Sequence, residues 1–303
     1  VSGSGRRLKM PDMSYGSGSG QTLLTSKVIW KGVSKIGIFQ SKSPLQQERE
    51  KLEKEERRFL EKRMAKKESF LTQKLEGKVP EKLQSTLDAA FAKAFQVIFE
   101  KGTDVIEKTY NRERITEDTK IREYANEVKK NKKNSQAFSR AANRSGTKNI
   151  LLSGTAGVGM GILGVGLPDI PIFTGWIFKN IYEIALQYGY DYDSEEERYF
   201  ILLLIQGAVS RGEEIRKIEQ KINQYLRHKS LPEDYQKEKQ IRNTANALSE
   251  ELLYIKFLQG IPVVGAVGGA YDAIYMKQIT EYANLKYRRR KLATVQNQAA
   301  GNT

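Results

Sequence analysis

The sequence contains no cysteine, one histidine and only seven prolines among 303 residues. Without cysteine the chain cannot form a disulfide, a thiolate nucleophile or a thiolate metal site, and such a composition suits folding in a reducing compartment. A single histidine excludes multi-histidine metal sites. We expect His228, in the run Tyr-Leu-Arg-His-Lys, to lie at a solvated helix end. These absences favour a cytoplasmic, non-catalytic protein, and the sequence reveals no reaction.

Positive charge is abundant, because the formal net charge is +15. Such a surplus predicts an anionic partner: nucleic acid, an acidic protein or the lipid surface at the cytoplasmic face of a membrane. Nucleic acid is the least favoured, because the basic segments lack interleaved aromatic residues. The side chains that we predict to contact an anionic surface fall in two basic segments: Lys129, Lys130, Lys132 and Lys133, and Arg288, Arg289 and Arg290.

Hydrophobic residues recur at helical spacing through most of the chain, which predicts an all-α, multi-helix bundle. Residues 44–76 form a long charged amphipathic helical arm in this prediction, and further helices cover residues 81–101 and about 115–130. Outside the helical region we expect an expression tag or linker over residues 1–20, a separate N-terminal segment over 21–43 and a disordered tail over 292–303.

Two glycine-rich apolar segments are predicted to be the centre of the bundle. Residues 149–168 contain no ionisable side chain, and a helix over 149–166 would be about 27 Å long, close to the ~30 Å core of a bilayer. Small residues let helices approach closely. The segment therefore either enters lipid or is buried in protein, and the residues expected to pack helices together are Gly154, Gly157, Gly161 and Gly164, with Gly265 and Gly269 in the second segment.

A Pro-Asp-Ile-Pro sequence follows the first glycine-rich segment. Pro168, Asp169 and Pro171 predict a turn, because proline removes a backbone donor and restricts the preceding residue. An amphipathic return helix is expected over 172–188. Acidic side chains near apolar walls, namely Asp169, Glu183 and Asp272, mark a possible polar site, and a hydrolase using them is one alternative function.

Two motifs that could bind a cofactor or a metal are better explained otherwise. Residues 159–164 match GxGxxG, but no strand–helix alternation surrounds them, so we expect no dinucleotide cofactor. The acidic residues at 191–197 could be proposed to bind calcium or magnesium. A helix start capped by Asp193 or Ser194, with glutamates in the first turn, explains them more simply.

Segments 166–208 and 260–290 closely resemble the EcsC protein family of bacteria, with the resemblance covering roughly residues 80–291. The shared pattern includes the Pro-Asp-Ile-Pro turn, an Ile-Tyr-Glu-Ile-Ala helix, a Tyr-Asp-acidic cap and an Ile-Pro-Val-Val-Gly segment. The Ile-Tyr-Glu-Ile-Ala and Ile-Pro-Val-Val-Gly elements are also similar to the helical hairpin appended to some Era-like GTPases. The resemblance implies a membrane-proximal helical domain and transfers no catalytic residue.

The function that we favour from the sequence is a non-catalytic module at the cytoplasmic face of the membrane, peripheral or associated with a membrane protein. The family's link to an ABC transporter makes such a transporter a possible partner, and residues 44–76 could provide a helix partner. The main alternative is a protein-interaction module whose apolar hairpin is only its core.

Overall fold

The computed structural model describes residues 42–65, 77–153, 169–259 and 268–301, and every regular element within these ranges is helical. The prediction of an all-α, multi-helix bundle is therefore confirmed. The helices in chain order are α1 (Pro44–Met64), α2 (Glu81–Val97), α3 (Thr103–Glu107), α4 (Arg112–Val128), α5 (Lys132–Ser135), α6 (Ala137–Ser153), α7 (Asp169–Gln187), α8 (Glu195–Val209), α9 (Gly212–His228), α10 (Lys237–Gln259) and α11 (Gly268–Gly301). A π-helical turn, Ile98–Gly102, joins α2 to α3.

The core is built on α7 and α8. Helix α7 packs against α2, α3, α4, α6 and α11, and α8 packs against α9, α10 and α11. The apolar run of α8 is almost wholly buried, and the ring of Phe178 on α7 makes edge contacts with Phe95 and Phe99. Because burial of apolar surface is the main favourable contribution to folding, these two helices contribute much of the stability of the bundle.

Local capping fixes several helix starts. The Ser43 hydroxyl and the Gln46 side chain form a reciprocal capping box at the start of α1. The Ser194 hydroxyl accepts a bond from the Glu197 backbone N–H, and three glutamates occupy the first turn of α8, as the acidic segment predicts. His228 is the last residue of α9 and is exposed, which agrees with its predicted place at a solvated helix end.

The structure differs from the predicted turn around Pro171. Residues Asp169–Pro171 form the first turn of α7. Proline is tolerated there because the first N–H groups of a helix have no intrahelical partner. Helix α6 begins at Ala137 and includes the basic residues Arg140, Arg144 and Lys148. Pro168 lies outside the described residues.

Helix α1 is joined to the bundle by ion pairs with α11. The Arg288 guanidinium contacts the carboxylates of Glu48 at 2.8 Å and Glu55 at 2.6 Å. Lys286 contacts Glu56 at 2.9 Å. Helix α1 therefore packs as a layer of the bundle. Helix α11 continues to Gly301, through the stretch where the sequence predicts a disordered tail.

Two glycines allow close helix contacts that the sequence analysis did not single out. A Cβ atom at Gly207 of α8 would lie 2.7 Å from the Tyr282 hydroxyl of α11. A Cβ at Gly146 of α6 would lie 2.6 Å from the Thr280 methyl group, also on α11. Small residues thus bring α6 and α8 close to α11. The predicted packing glycines Gly154, Gly157, Gly161, Gly164 and Gly265 lie outside the described residues, and Gly269 lies in the first turn of α11.

Candidate functional site

Helix α4 carries three large apolar side chains on its solvent-facing side. Ile121, Tyr124 and Val128 are 67%, 69% and 68% exposed. Their spacing of three and four residues places them on one helical face. Isolated exposed apolar residues are ordinary, but an aligned set of this kind makes the face a candidate interaction surface.

A basic segment follows directly at the end of this apolar face. Lys129 and Lys130 come after the last residue of α4, Lys132 and Lys133 begin α5, and all four are exposed. Glu127 is the only acidic residue within four positions of any of them in the sequence. In the part of the chain that the structure describes, none of the four lysines forms an ion pair. We call the combined surface, Ile121, Tyr124, Val128, Lys129, Lys130, Lys132 and Lys133, the α4–α5 patch.

Asparagine side chains hold the backbone of the basic segment in place. The Asn134 side-chain amide donates to the backbone carbonyls of Ala125 at 2.8 Å and Lys129 at 2.9 Å. The Asn131 side chain accepts a bond from the Asn134 backbone N–H at 2.9 Å. These bonds link the last turn of α4 to the first turn of α5. The four lysines are therefore attached to a backbone that hydrogen bonds hold in a defined conformation.

The opposite face of α4 is anchored to α7. The Thr119 hydroxyl, which is buried, donates to the Leu186 carbonyl at 2.9 Å. The Arg122 guanidinium donates to the Gln187 side chain at 2.6 Å, and burial lowers the pKa of Arg122. Because this face is used for packing inside the protein, the Ile121 face is left to water.

The second basic segment has a different environment. Arg288 is buried between Glu48 and Glu55, and Arg290 contacts Glu197 at 2.6 Å. The sequence analysis did not anticipate these acids, because they come from other helices. Arg289 is 39% exposed and lies 3.9 Å from Glu56. Its charge is the most accessible of the three predicted surface arginines.

The comparison with protein families identifies the kind of domain. A model of the EcsC protein family matches residues 46–292. The chain belongs to the EcsC protein family. The match begins within α1, so the EcsC region extends further toward the N-terminus than the resemblance at residues 80–291 indicates. The ion pairs between α1 and α11 give a physical reason for including α1.

One curated relative is an uncharacterized protein, YdbA of Bacillus subtilis (strain 168). It is 27% identical to this EcsC chain over 125 residues, which cover 41% of the chain and 46% of the relative. The match thus spans about half the length of that relative. No solved structure gives a significant match.

The predicted polar site is only partly described. The carboxylate of Glu183 is buried and accepts a bond from Lys179 Nζ at 2.6 Å, and Lys179 also donates to the Thr109 carbonyl at 3.2 Å. A positive charge from its own helix thus matches the charge of Glu183. Asp169 is the first residue of α7, and Asp272 is the fifth residue of α11. Among the residues that the structure describes, no group of acidic or histidine side chains could hold a metal ion.

No helix within the described ranges is both long enough and apolar enough to cross a membrane. The sequence analysis left insertion or burial open for the apolar segment 149–168; residues 149–153 end α6, and residues 154–168 lie outside those ranges. The apolar part of the α4–α5 patch was missed from the sequence. Its signal was the spacing of Ile121, Tyr124 and Val128 immediately before the basic segment.

Proposed function

We propose that this EcsC protein is a peripheral membrane protein that binds anionic lipid through the α4–α5 patch. The observation that supports the proposal is the continuity of an exposed apolar helical face with four exposed lysines that form no ion pair within the described residues. Helices of this type lie in the interfacial region, with apolar side chains among the acyl chains and basic side chains near the headgroups.

The electrostatic preference for lysine at the C-terminal end of a helix does not by itself explain the composition of the patch. Lysines near a helix C-terminus interact favourably with the last carbonyl groups, which would be reason enough for Lys129 and Lys130. This effect gives no reason for Ile121, Tyr124 and Val128 to be exposed. Tyrosine is enriched where one end of a side chain is in lipid and the other in water. A membrane surface therefore explains both halves of the patch together.

The energies are adequate for reversible binding. Each lysine near an anionic surface contributes about 1 kcal/mol, so four contribute up to ~4 kcal/mol at moderate salt. Burying a side chain such as isoleucine or valine adds about 1.5–3 kcal/mol. Stable anchoring at a membrane generally requires two signals, one hydrophobic and one electrostatic, and the patch supplies both.

The test is sedimentation of the full chain with vesicles of phosphatidylcholine containing phosphatidylglycerol. We expect binding at low salt that weakens as salt rises and is absent without phosphatidylglycerol. Replacing Lys129, Lys130, Lys132 and Lys133 by glutamine should reduce affinity by up to about 10³-fold, the equivalent of ~4 kcal/mol.

A matched variant tests whether vesicle binding depends on the location of the lysines or only on the net charge of the protein. In the control, glutamine replaces four exposed lysines on other parts of the bundle, so the same total charge is lost. These are Lys54, Lys93, Lys108 and Lys221. The control should keep most of the binding. Equal losses in the two variants, or no vesicle binding by the unaltered protein at low salt, would refute the proposal.

The apolar half is tested separately. We expect Ile121→Gln with Val128→Gln to weaken vesicle binding while leaving the free energy of unfolding nearly unchanged, because both side chains are exposed. Ile274→Gln provides the control, since Ile274 is an exposed apolar residue on α11, 54% accessible. A purely electrostatic association would show no difference between these variants.

A further inference from the structure

A cleft lies between α1, α9 and α11, and no residue of the α4–α5 patch lines it. Its volume is about 750 Å³, within the range of sites that hold small molecules. Leu45, Leu226 and Leu292, one from each helix, contribute apolar surface to its wall. The cleft can therefore take a ligand with an apolar or ring portion.

Most charged side chains along the cleft are neutralised within the protein. The pairs are Arg49 with Glu53 at 3.1 Å, Arg290 with Glu197 at 2.6 Å and Glu56 with Lys286 at 2.9 Å. These pairs leave little unbalanced charge in the cleft. The unbalanced charge comes from the end of α9.

Arg227 and Lys229 both line the cleft and both are exposed. Within the described ranges neither forms an ion pair. Arg289 also lines the cleft, and its nearest carboxylate is 3.9 Å away. Two free cations and a loosely paired arginine match the charge of a phosphate monoester, which is about −1.5 to −2 at neutral pH.

The backbone at Lys229 gives a second, independent observation. Lys229 ends α9 in the left-handed conformation, with φ +54°, and its N–H bonds the Tyr225 carbonyl. Glycine or asparagine is the residue that this position favours, because other side chains are strained there. Lys229 thus ends α9 and places a cationic side chain at the cleft, at a position where glycine would end the helix with less strain.

We infer that the cleft between α1, α9 and α11 binds a phosphate monoester, with Arg227, Lys229 and Arg289 contacting the phosphate and the leucine wall contacting the remainder of the ligand. Arginine suits this task because its fork of donors can form paired bonds to phosphate oxygens. The inference goes beyond the proposed membrane function and uses none of the patch residues.

The experiment is isothermal titration of the full chain with phenyl phosphate and with inorganic phosphate. We expect saturable binding of both, tighter for phenyl phosphate because its ring contacts the leucine wall. Arg227→Gln with Lys229→Gln should lower the affinity for phenyl phosphate at least tenfold. The control is Arg216→Gln with Lys217→Gln, which removes two exposed cations elsewhere on α9. Absence of saturable binding, or equal losses in the two variants, would overturn the inference.

Lys229→Gly removes the risk that a loss of binding reflects misfolding. Glycine relieves the strain at φ +54°, so this variant should unfold at a higher denaturant concentration and yet bind phenyl phosphate more weakly. If it binds as well as the unaltered chain, the role of Lys229 is refuted.

A measurement with vesicles distinguishes two sources of a phosphate monoester, a free phosphate ester and a lipid headgroup. Vesicles containing phosphatidic acid present the same group on a lipid. The Arg227→Gln, Lys229→Gln variant should lose phenyl phosphate binding in either case. A parallel loss of binding to phosphatidic acid vesicles assigns the site to a lipid headgroup, whereas unchanged vesicle binding assigns it to a free phosphate ester. Unchanged binding in both arms contradicts the site. The four-lysine variant of the α4–α5 patch should bind phenyl phosphate normally, so failure of one proposal is distinguishable from failure of the other.

Discussion

Breaking the ion pair between Arg288 and Glu48 should destabilise the bundle without affecting membrane binding. Arg288 is only 6% exposed and Glu48 only 2%. Removing one partner of a buried pair typically costs about 3–5 kcal/mol, because the other charge remains buried. The structure also predicts that the two single substitutions lower the free energy of unfolding by different amounts.

Glu48→Gln leaves Arg288 in contact with Glu55 at 2.6 Å, so the arginine keeps a carboxylate partner. We expect a cost of about 1–2 kcal/mol, below the usual range for a broken buried pair. Arg288→Gln leaves the Glu48 carboxylate with a neutral donor, the Gln136 side chain. We expect about 3 kcal/mol there, at the lower end of that range.

Urea unfolding measures both effects. With a slope of roughly 2–3 kcal/mol per molar, Arg288→Gln should lower the midpoint by about 1 M. In the double variant the cost should fall short of the sum of the singles by about 1–3 kcal/mol, because the two side chains are in direct contact. Arg289→Gln is the neighbouring control, with an expected change within about 0.5 kcal/mol.

Additive costs in the double variant would show that Arg288 and Glu48 do not interact. Below its unfolding transition, Arg288→Gln should bind phosphatidylglycerol vesicles as well as the unaltered protein. Weaker binding by this folded variant would instead place Arg288 at the membrane, and the packing of α1 on α11 would then be incorrect.

Two further predictions concern close packing and acid stability. Gly207→Ala should destabilise by about 1–3 kcal/mol despite the better helix propensity of alanine, because the new methyl group meets the Tyr282 hydroxyl; an unchanged urea midpoint would contradict this. The pKa of Asp191 is held below its usual value: burial raises it, but the Asp193 backbone N–H and Arg112 outweigh that effect. Its contribution to stability is thus present above the unfolded pKa near 3.9 and lost as pH falls through the folded pKa. Arg112→Gln should raise this pKa in a carboxyl NMR titration, and an unchanged value would exclude the contact.

Local patterns were sufficient to predict several of the helices. The prediction of a helix near 115–130 agrees with α4 at Arg112–Val128, and the acidic segment before Tyr199 does start α8. Helix periodicity and caps depend on residues within a few positions of each other, so a single sequence contains them. The end of the last helix was missed, because Leu292 packs against the core and extends α11 beyond the basic segment.

Tertiary partners could not be predicted in the same way. The sequence shows Arg288, Arg289 and Arg290 as a run without acids, yet Glu48 precedes Arg288 by 240 positions and Glu197 precedes Arg290 by 93. Periodicity indicates which face of a helix is polar, but it does not indicate which other helix packs against that face. For the same reason the sequence leaves open whether the polar face of α7, which includes Glu183, belongs to an interface or to a protein core, and the structure shows that it is buried.

The difference between the two basic segments follows from this pairing. Arginine and lysine on α11 neutralise carboxylates from α1, α8 and α9, so much of the positive charge there stabilises the fold. Lys129, Lys130, Lys132 and Lys133 have no such partners in the described chain, and the adjoining face of α4 is apolar. Charge that the fold does not neutralise is available for a partner. The α4–α5 patch is therefore a better candidate for contact with an anionic surface than the run of three arginines on α11.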